Sequence, residues 1–468
     1  AASGLRSMRY WMEIPGVHHV TINDLDPVAI QRARANIVAN NLQNVHLEGA
    51  SSTSSEGRRP RGICTHVGDA TAEMYNSRPK TKLRPGSLPE AQDRSWDVID
   101  LDPYGSAAPF LDAAVQSAVN GGLLCITCTD MAALGGSHPE TCVGRYGAMP
   151  IQRAPYLQEL ALRILLQTIA VTAAKYGRSI HPVLSVGMNF YVRVFVTVHD
   201  KKDEVNQLSL NLGYVHQSTQ CPSFFVVPMG QLGGQKKNTY RPGRIQEEHV
   251  AESGASMKIA GPIWTGPLHD RDVIQTALDR LSGKTKTANP STALLKLATK
   301  DRLRGLLLSC RDELPDVPLF YRTFDMAQSL RTSAPPLRQV QYALINAGYK
   351  VSGYHKEPQA VKTNAPNKVV WDIMKVWYKQ MLEKDPKTQK PAAEGSLQEK
   401  LLARPIETNV DFSEPKQEDL PSFLKANQTA DEQVARFPGN PEANWGPKKA
   451  TTGYKRKAEE ELPNPKDT

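Results

Sequence analysis

The 468-residue chain contains no run of eighteen apolar residues, so no segment reads as a membrane span. Cysteine is sparse: Cys64, Cys125, Cys128, Cys142, Cys221 and Cys310 are scattered through apolar stretches. Such a distribution reads as reduced, intracellular thiols more than as a disulfide framework. Cys125 and Cys128 have metal-like spacing, but they lie in one apolar strand, face opposite sides and have no second pair nearby. No metal is expected. The first residue is not Met and does not read as part of a signal peptide. It opens in mid-pattern, so a preceding strand and further N-terminal residues are expected.

What is present is a basic, two-part protein. Lys and Arg number 57 against 48 Asp and Glu, a net charge of +9. That balance favours a polyanionic partner, a property shared by ribosomal, chromatin and tRNA proteins. The length exceeds one typical domain, and an apolar share of 40% supports sizeable cores. The 34 prolines announce long irregular stretches.

The stretch Asp97-Val-Ile-Asp-Leu-Asp-Pro-Tyr-Gly-Ser106 organises the rest. Val98 to Leu101 reads as a short parallel strand, and ligands collect where such strands end. Pro103 ends the strand and Gly105 permits a tight turn into a helix over 108–119. Asp102 and Tyr104 are thereby held on a stiff corner. The combination resembles the Asp/Asn-Pro-Pro-Tyr/Phe corner of methyltransferases that alkylate exocyclic amino nitrogens of bases, and such an amine is a poor nucleophile, because its lone pair is delocalised into the ring. The Asp102 carboxylate and the Pro103 carbonyl could bind its two N–H groups and turn the lone pair toward an electrophilic carbon. Tyr104 would offer a stacking face to an extruded base. The same tetrapeptide also fits an Asp-Pro turn after a core strand.

Alternating strand and helix signals surround this corner, which predicts an α/β fold with a Rossmann-like sheet. Ala1 to Tyr10 reads as a glycine turn and first helix, and 17–22 as a strand ending near Asp24 and Asp26. An acid there suits a ribose hydroxyl pair; Asp26 precedes the helix that starts at Pro27 and reads as its N-cap, leaving Asp24 as the ribose ligand. Two carboxylates decorating a helix start is the alternative. Residues 64–67 form another short strand, leading to Gly68-Asp69-Ala70, where an acid commonly receives an adenine amino group. A fifth strand over 121–130 precedes a polar loop over 131–147, which suits a base-binding lid. A helix over 156–176 carries a core stripe, and strands over 180–185 and 191–198 close the sheet.

Residues 199–262 are polar and Gly-rich, and read as an excursion; Gly261-Pro-Ile-Trp264 looks like a domain junction. Beyond it come helices near 273–281, 293–309 and 337–347. The two strands over 350–355 and 360–363 resemble the wing of a winged-helix unit, whose Lys350, His355, Lys356 and Lys362 suit phosphate contact. Ordinary solvated lysines on a small structural domain would look the same. A last helix spans 368–382. The domains expected are therefore 1–268, 269–383 and a mostly disordered basic tail over 384–468. In that tail Lys448-Lys449 and Lys455-Arg456-Lys457 are spaced like a two-part nuclear import signal.

Several of these stretches occur together and in order. Ala2-Ser-Gly-Leu-Arg6, Asn23-Asp24, Gly68-Asp69-Ala70, Asp100-Leu-Asp-Pro-Tyr-Gly105, Thr127 to Asp130, Gly261-Pro-Ile-Trp264 and Lys362-Thr-Asn-Ala-Pro366 resemble the tRNA (guanine-26-N2)-dimethyltransferase family over about residues 1–380. The resemblance implies a class I methyltransferase domain and a smaller α+β, winged-helix-like C-terminal domain. It implies transfer of two methyl groups from S-adenosyl-L-methionine to a guanine N2 of tRNA, in the nucleus or alternatively the mitochondrion. Arg6, Asp24, Asp69 and Ala70 are then expected at the cofactor, and Asp102, Pro103 and Tyr104 at the target base. Neither a membrane nor an obligate protein partner is expected. Some family members carry a cysteine cluster after the catalytic domain; here Cys221 stands alone, so no zinc is expected. A DNA amino-group methyltransferase and a non-catalytic RNA-binding adaptor are the other readings of the residues.

Overall fold

The computed structural model describes residues 2–48, 59–78, 95–233, 239–246, 250–284, 297–384, 392–426, 428–429 and 431–437. Helix α1 (Leu5–Glu13) starts at Gly4, whose φ of 68° is left-handed. A side chain there would meet the Ala33 Cβ at 2.9 Å, so the turn can approach the next helix only as glycine. Strand β1 (His19–Asp24) follows, two residues later than the sequence predicts. Asp26 does cap helix α2 (Pro27–Ala39), accepting the Val28 amide at 2.9 Å. Strands β2 (His46–Glu48) and β3 (Gly62–Val67) complete a parallel sheet in the order β1-β3-β2. Helix α3 (Ala70–Ser77) follows the carboxyl end of β3, the central strand.

A second sheet contains β4 (Trp96–Leu101), β5 (Ala118–Cys128), β6 (Ser179–Gly187) and β7 (Val192–His199) in the order β4-β5-β7-β6. β4 and β5 are parallel, while β7 runs antiparallel to both neighbours. In β7 the strict alternation Val192, Val194, Val196, Val198 buries every second side chain completely. β4 departs from expectation. Only Ile99 and Leu101 are buried, while Val98 is half exposed and Asp100 faces α1. Helix α4 (Ala108–Ser117) links β4 to β5, ending before the predicted residue 119 because the chain extends at Ala118.

Residues predicted as an open lid are helical: α5 (Met131–Leu134) and α6 (Pro139–Tyr146). Pro139 at the first turn and left-handed Gly147 at the end supply the start and stop of α6. Helix α7 (Leu157–Ala174) buries Leu160, Leu162, Leu165, Leu166 and Ile169 completely, each contributing roughly 1.5–3 kcal/mol. It is long and apolar enough to cross a membrane by composition, but 67% of that stretch is buried within the protein.

The polar excursion is also folded. Strands β8 (Leu212–Ser218), β9 (Phe224–Pro228) and β12 (Met257–Trp264) form an antiparallel sheet, with a small hairpin of β10 (Gly230–Leu232) and β11 (Tyr240–Pro242) beside it. Gly261 and Met149 exchange backbone hydrogen bonds of 2.8 and 2.9 Å, so the Gly-Pro-Ile-Trp stretch fastens β12 to the end of α6.

The C-terminal part contains helices Arg271–Leu281, Lys300–Asp312, Thr323–Ser329, Leu337–Asn346 and Asn367–Lys384 around the sheet β13 (Tyr321–Arg322), β15 (Glu357–Thr363), β14 (Val351–Tyr354). Its apolar core is continuous with that of the sheet carrying β4 and β5. Two of the four proposed wing cations are not on the surface: Lys362 and His355 are buried. The expected disorder from residue 384 is also corrected in part. Helix Leu397–Ala403 packs with Leu401, Leu420 and Leu424 buried, and the Ala435 carbonyl sits so close to Gly305 that a Cβ there would lie 2.2 Å from it. The two basic clusters of the tail lie outside the described residues.

Candidate active site

The corner after β4 is built as its local sequence dictates. The strand ends at Leu101, Gly105 adopts φ 80°, and α4 begins at Ala108. Asp102 keeps 45% of its side chain exposed, and Tyr104 is 99% exposed with its ring free of the core. Neither is buried under packed side chains, so a planar ligand can reach both.

Asp100, one pleat earlier, is the hub beneath the corner. Its carboxylate accepts Tyr10 Oη at 2.6 Å, Arg193 Nη2 at 3.0 Å and Arg6 Nη1 at 3.1 Å. Arg6 also reaches forward, donating from Nη2 to Asp102 Oδ2 at 2.8 Å. Arg193 in turn donates to Thr127 Oγ1 at 2.6 Å. Burial, together with the bond to Asp100, pushes the Tyr10 phenol well above its ordinary value, so it stays a donor. Sequence reasoning missed Tyr10, Asp100 and Arg193. The signals were an acid inside a strand and an arginine in the Val-X-Val alternation of β7.

The four residues expected at a cofactor lie in α1 and just at or beyond the carboxyl ends of β1 and β3. Arg6 lies against Asp102. Asp24, half-buried at the end of β1, accepts the Ala2 amide at 3.2 Å and the Asp26 amide at 3.0 Å. Asn23 ties this end to the next strand, donating to the Gly68 carbonyl at 3.0 Å. Asp69 caps α3 by accepting the Thr71 amide at 2.8 Å, and Ala70 opens that helix. Asp24 and Asp102 are thus each tied directly to the start of α1, while one Asp69 oxygen is engaged by its own helix.

Burial pushes the Cys125 and Cys128 thiols up to about 12 and about 11, which keeps both protonated. Away from the corner, His269, Cys310, Glu313 and His355 hold potential ligand atoms within 4.8 Å of one another. Their hydrogen bonds do not fit a metal. The Ser185 amide donates to His269 Nδ1 and the Gly187 amide to His355 Nε2, so each ring carries its proton on the other nitrogen, facing Glu313. Those are the nitrogens a cation would need. Beside them lies a cavity of about 10 Å³, lined also by Arg163, Arg271 and Lys362, room for a single water.

This buried cluster makes stability pH-dependent. Burial holds His269 below its ordinary value of 6.5. The unfolded chain therefore binds a proton below that value that the folded chain refuses, and stability falls as pH falls. Glu313 acts in the same direction at lower pH: burial alone would raise it, but His355 and Lys362 outweigh that and hold it well below 4.5. Denaturant unfolding should give constant stability above about pH 7, then a decline of up to roughly 1.4 kcal/mol per pH unit for His269 alone below about pH 6.5. A flat profile from pH 7 to 5 would contradict this assignment.

Comparison with known proteins bears on the site. The family described as N2,N2-dimethylguanosine tRNA methyltransferase matches residues 1–375. The chain is 37% identical over 451 residues to tRNA (guanine(26)-N(2))-dimethyltransferase 1 of Arabidopsis thaliana, covering 96% of this chain and 67% of that relative. It is 35% identical to the tRNA (guanine(26)-N(2))-dimethyltransferase of Schizosaccharomyces pombe, covering 96% of this chain and 73% of the relative. Among solved structures, Trm1 from Pyrococcus horikoshii in complex with S-adenosyl-L-methionine superposes with a TM-score of 0.60 at 27% identity, over 79% of this chain and 85% of that one.

Proposed function

The chain belongs to the N2,N2-dimethylguanosine tRNA methyltransferase family, and from that premise we infer that it transfers two methyl groups from S-adenosyl-L-methionine to the exocyclic N2 of guanine 26 in tRNA. The observation that carries this reading to named atoms is the open corner: an accessible carboxylate and a free aromatic ring on a turn that the fold holds rigid.

In this reading Tyr104 stacks on the extruded guanine. Asp102 Oδ1 and the Pro103 carbonyl accept the two N2 hydrogens and turn the lone pair out of the ring plane. Arg6, donating to Asp102 Oδ2, fixes the direction of the carboxylate. Asp24 and Asp69 suit the hydroxyl and amino donors of a nucleoside, with Arg6 and Ala70 completing the cofactor cradle; the acids at two adjacent strand ends fit such a ligand. When bound, the cofactor supplies a methyl carbon on a positively charged sulfur. An N–C bond forms as the S–C bond breaks, and the proton leaves N2 toward Asp102. Because the sulfonium charge is consumed during attack, positioning contributes more than charge complementarity. After one transfer a single N–H remains, and it needs only one of the two acceptors.

The finer architecture follows the same proposal. Residues 1–268 act as a Rossmann-like class I methyltransferase unit and 269–383 as a winged-helix-like unit that approaches tRNA, through the exposed Lys350 more than through the buried Lys362. A nuclear or mitochondrial location is in keeping with relatives such as the Saccharomyces cerevisiae enzyme named as mitochondrial.

Methyl transfer from labelled S-adenosyl-L-methionine, followed by nucleoside analysis, tests the function. Dimethylguanosine should form in a tRNA with guanine at position 26 and in no duplex DNA; label appearing in DNA adenine or cytosine would overturn the reading. Tyr104→Phe should retain turnover within a few-fold, whereas Tyr104→Ala should lose about 1–3 kcal/mol of base stacking, about fivefold to 150-fold in kcat/KM. Equal activity of the two variants would rule out a stacking role.

A further inference from the structure

An exposed catalytic turn must be held from beneath, and the end of β5 does so at two points. The Gly105 amide donates to Thr129 Oγ1 at 2.8 Å, and the Thr129 amide donates back to the Gly105 carbonyl at 2.8 Å. One residue on, Ser106 Oγ lies 2.7 Å from Tyr146 Oη and also accepts the Ala108 amide. Tyr146 Oη donates onward to Asp130, at 2.8 Å to Oδ1 and 2.9 Å to Oδ2, and Arg145 donates to the same carboxylate at 3.1 Å. With its own proton committed to Asp130, Tyr146 can only accept from Ser106. The order is therefore fixed: Ser106 to Tyr146 to Asp130.

We propose that Tyr146 and Thr129 are positioning residues for methyl transfer, which clamp the turn carrying Asp102 and Tyr104 to the end of β5. Tyr146 is buried, so its hydroxyl acts in a site sheltered from competing water. Thr129 is exposed, and its hold on Gly105 is the weaker of the two. The clamp also accounts for Asp130. This strand-end acid, together with Arg145, is engaged by the protein itself. It anchors the corner and does not meet the ligand.

The inference rests on reading Asp102 to Tyr104 as the reacting corner. Its test is a kinetic cycle on the full chain with saturating tRNA. Tyr146→Phe keeps the packed ring and removes the link; kcat should fall about tenfold to a hundredfold, because a shift of an ångström at the reacting group costs that much. Affinity for S-adenosyl-L-methionine, measured by calorimetry, should change less than about twofold. Ser106→Ala breaks the same chain, so the double variant should be no worse than the worse single one. Thr129→Val should lower kcat several-fold, and Thr129→Ser should restore it. Additive losses from Ser106→Ala and Tyr146→Phe, or a Tyr146→Phe enzyme with unchanged kcat, would overturn the proposal. An active Asp102→Ala enzyme would instead overturn the reading of the corner; an inactive one beside a fully active Tyr146→Phe enzyme would sink the clamp alone.

Discussion

Asp102→Ala is expected to lower methyl transfer to tRNA by about a thousandfold or more while leaving affinity for S-adenosyl-L-methionine within a few-fold of the parent. The size of the loss follows from what the carboxylate does. Guanine N2 offers no useful lone pair while the amine lies flat and conjugated. An acceptor must hold its hydrogens before the nitrogen can face a carbon electrophile. In the proposed reading, removing Asp102 leaves the Pro103 carbonyl as the sole acceptor, and it frees Arg6 Nη2, which now pairs with Asp102 at 2.8 Å. Arg6 retains Asp100, so the packing under the corner survives and the variant should fold. Asp102→Asn, which keeps one acceptor oxygen, should lie between the two. Single-turnover rates with labelled cofactor give the comparison. If the alanine variant turned over within tenfold of the parent, orientation by this carboxylate would be excluded.

The largest expected effect on stability lies at the contact between α7 and the C-terminal part. Glu159, completely buried on α7, holds Arg163 at 2.9 Å and the Lys362 ammonium of β15 at 2.8 Å, and accepts the Leu319 amide at 2.8 Å. All three of these charged side chains are at most 1% exposed. Glu159→Gln preserves shape but takes a carboxylate from two buried cations, leaving Lys362 with the more distant Glu313 at 3.6 Å, which should cost about 3–5 kcal/mol, a large share of a typical domain's stability. Lys362→Met in the same background removes one of those cations and should recover part of the loss. Urea unfolding of the three variants measures both steps. A loss below about 1 kcal/mol in the single variant would show that the ions are already solvated.

What was legible in the sequence was local. Pro103, Gly105 and the apolar run before them specified the end of β4 and the turn, because each acts through its own backbone. Asp26 announced the cap of α2, and the stripe on α7 announced its burial. What was not legible depends on partners far along the chain. Lys362 and His355 read as solvent-facing cations on a wing, because Glu159 and Glu313 lie 203 and 42 residues away. The hub around Asp100 likewise unites Tyr10 and Arg193, separated from it by 90 and 93 residues. α6 was readable in principle: Pro139, Glu140 in the first turn and Gly147 beyond the end were present, but the surrounding glycines suggested a loop.

Diffraction from crystals of the enzyme with guanine-26 tRNA and S-adenosylhomocysteine tests the central claim most directly. The account predicts guanine 26 out of its helix, its ring against Tyr104, and its N2 about 3 Å from both the Asp102 carboxylate and the Pro103 carbonyl. A guanine held elsewhere, with N2 beyond hydrogen-bond reach of Asp102 while the product sulfur faces it, would contradict the account.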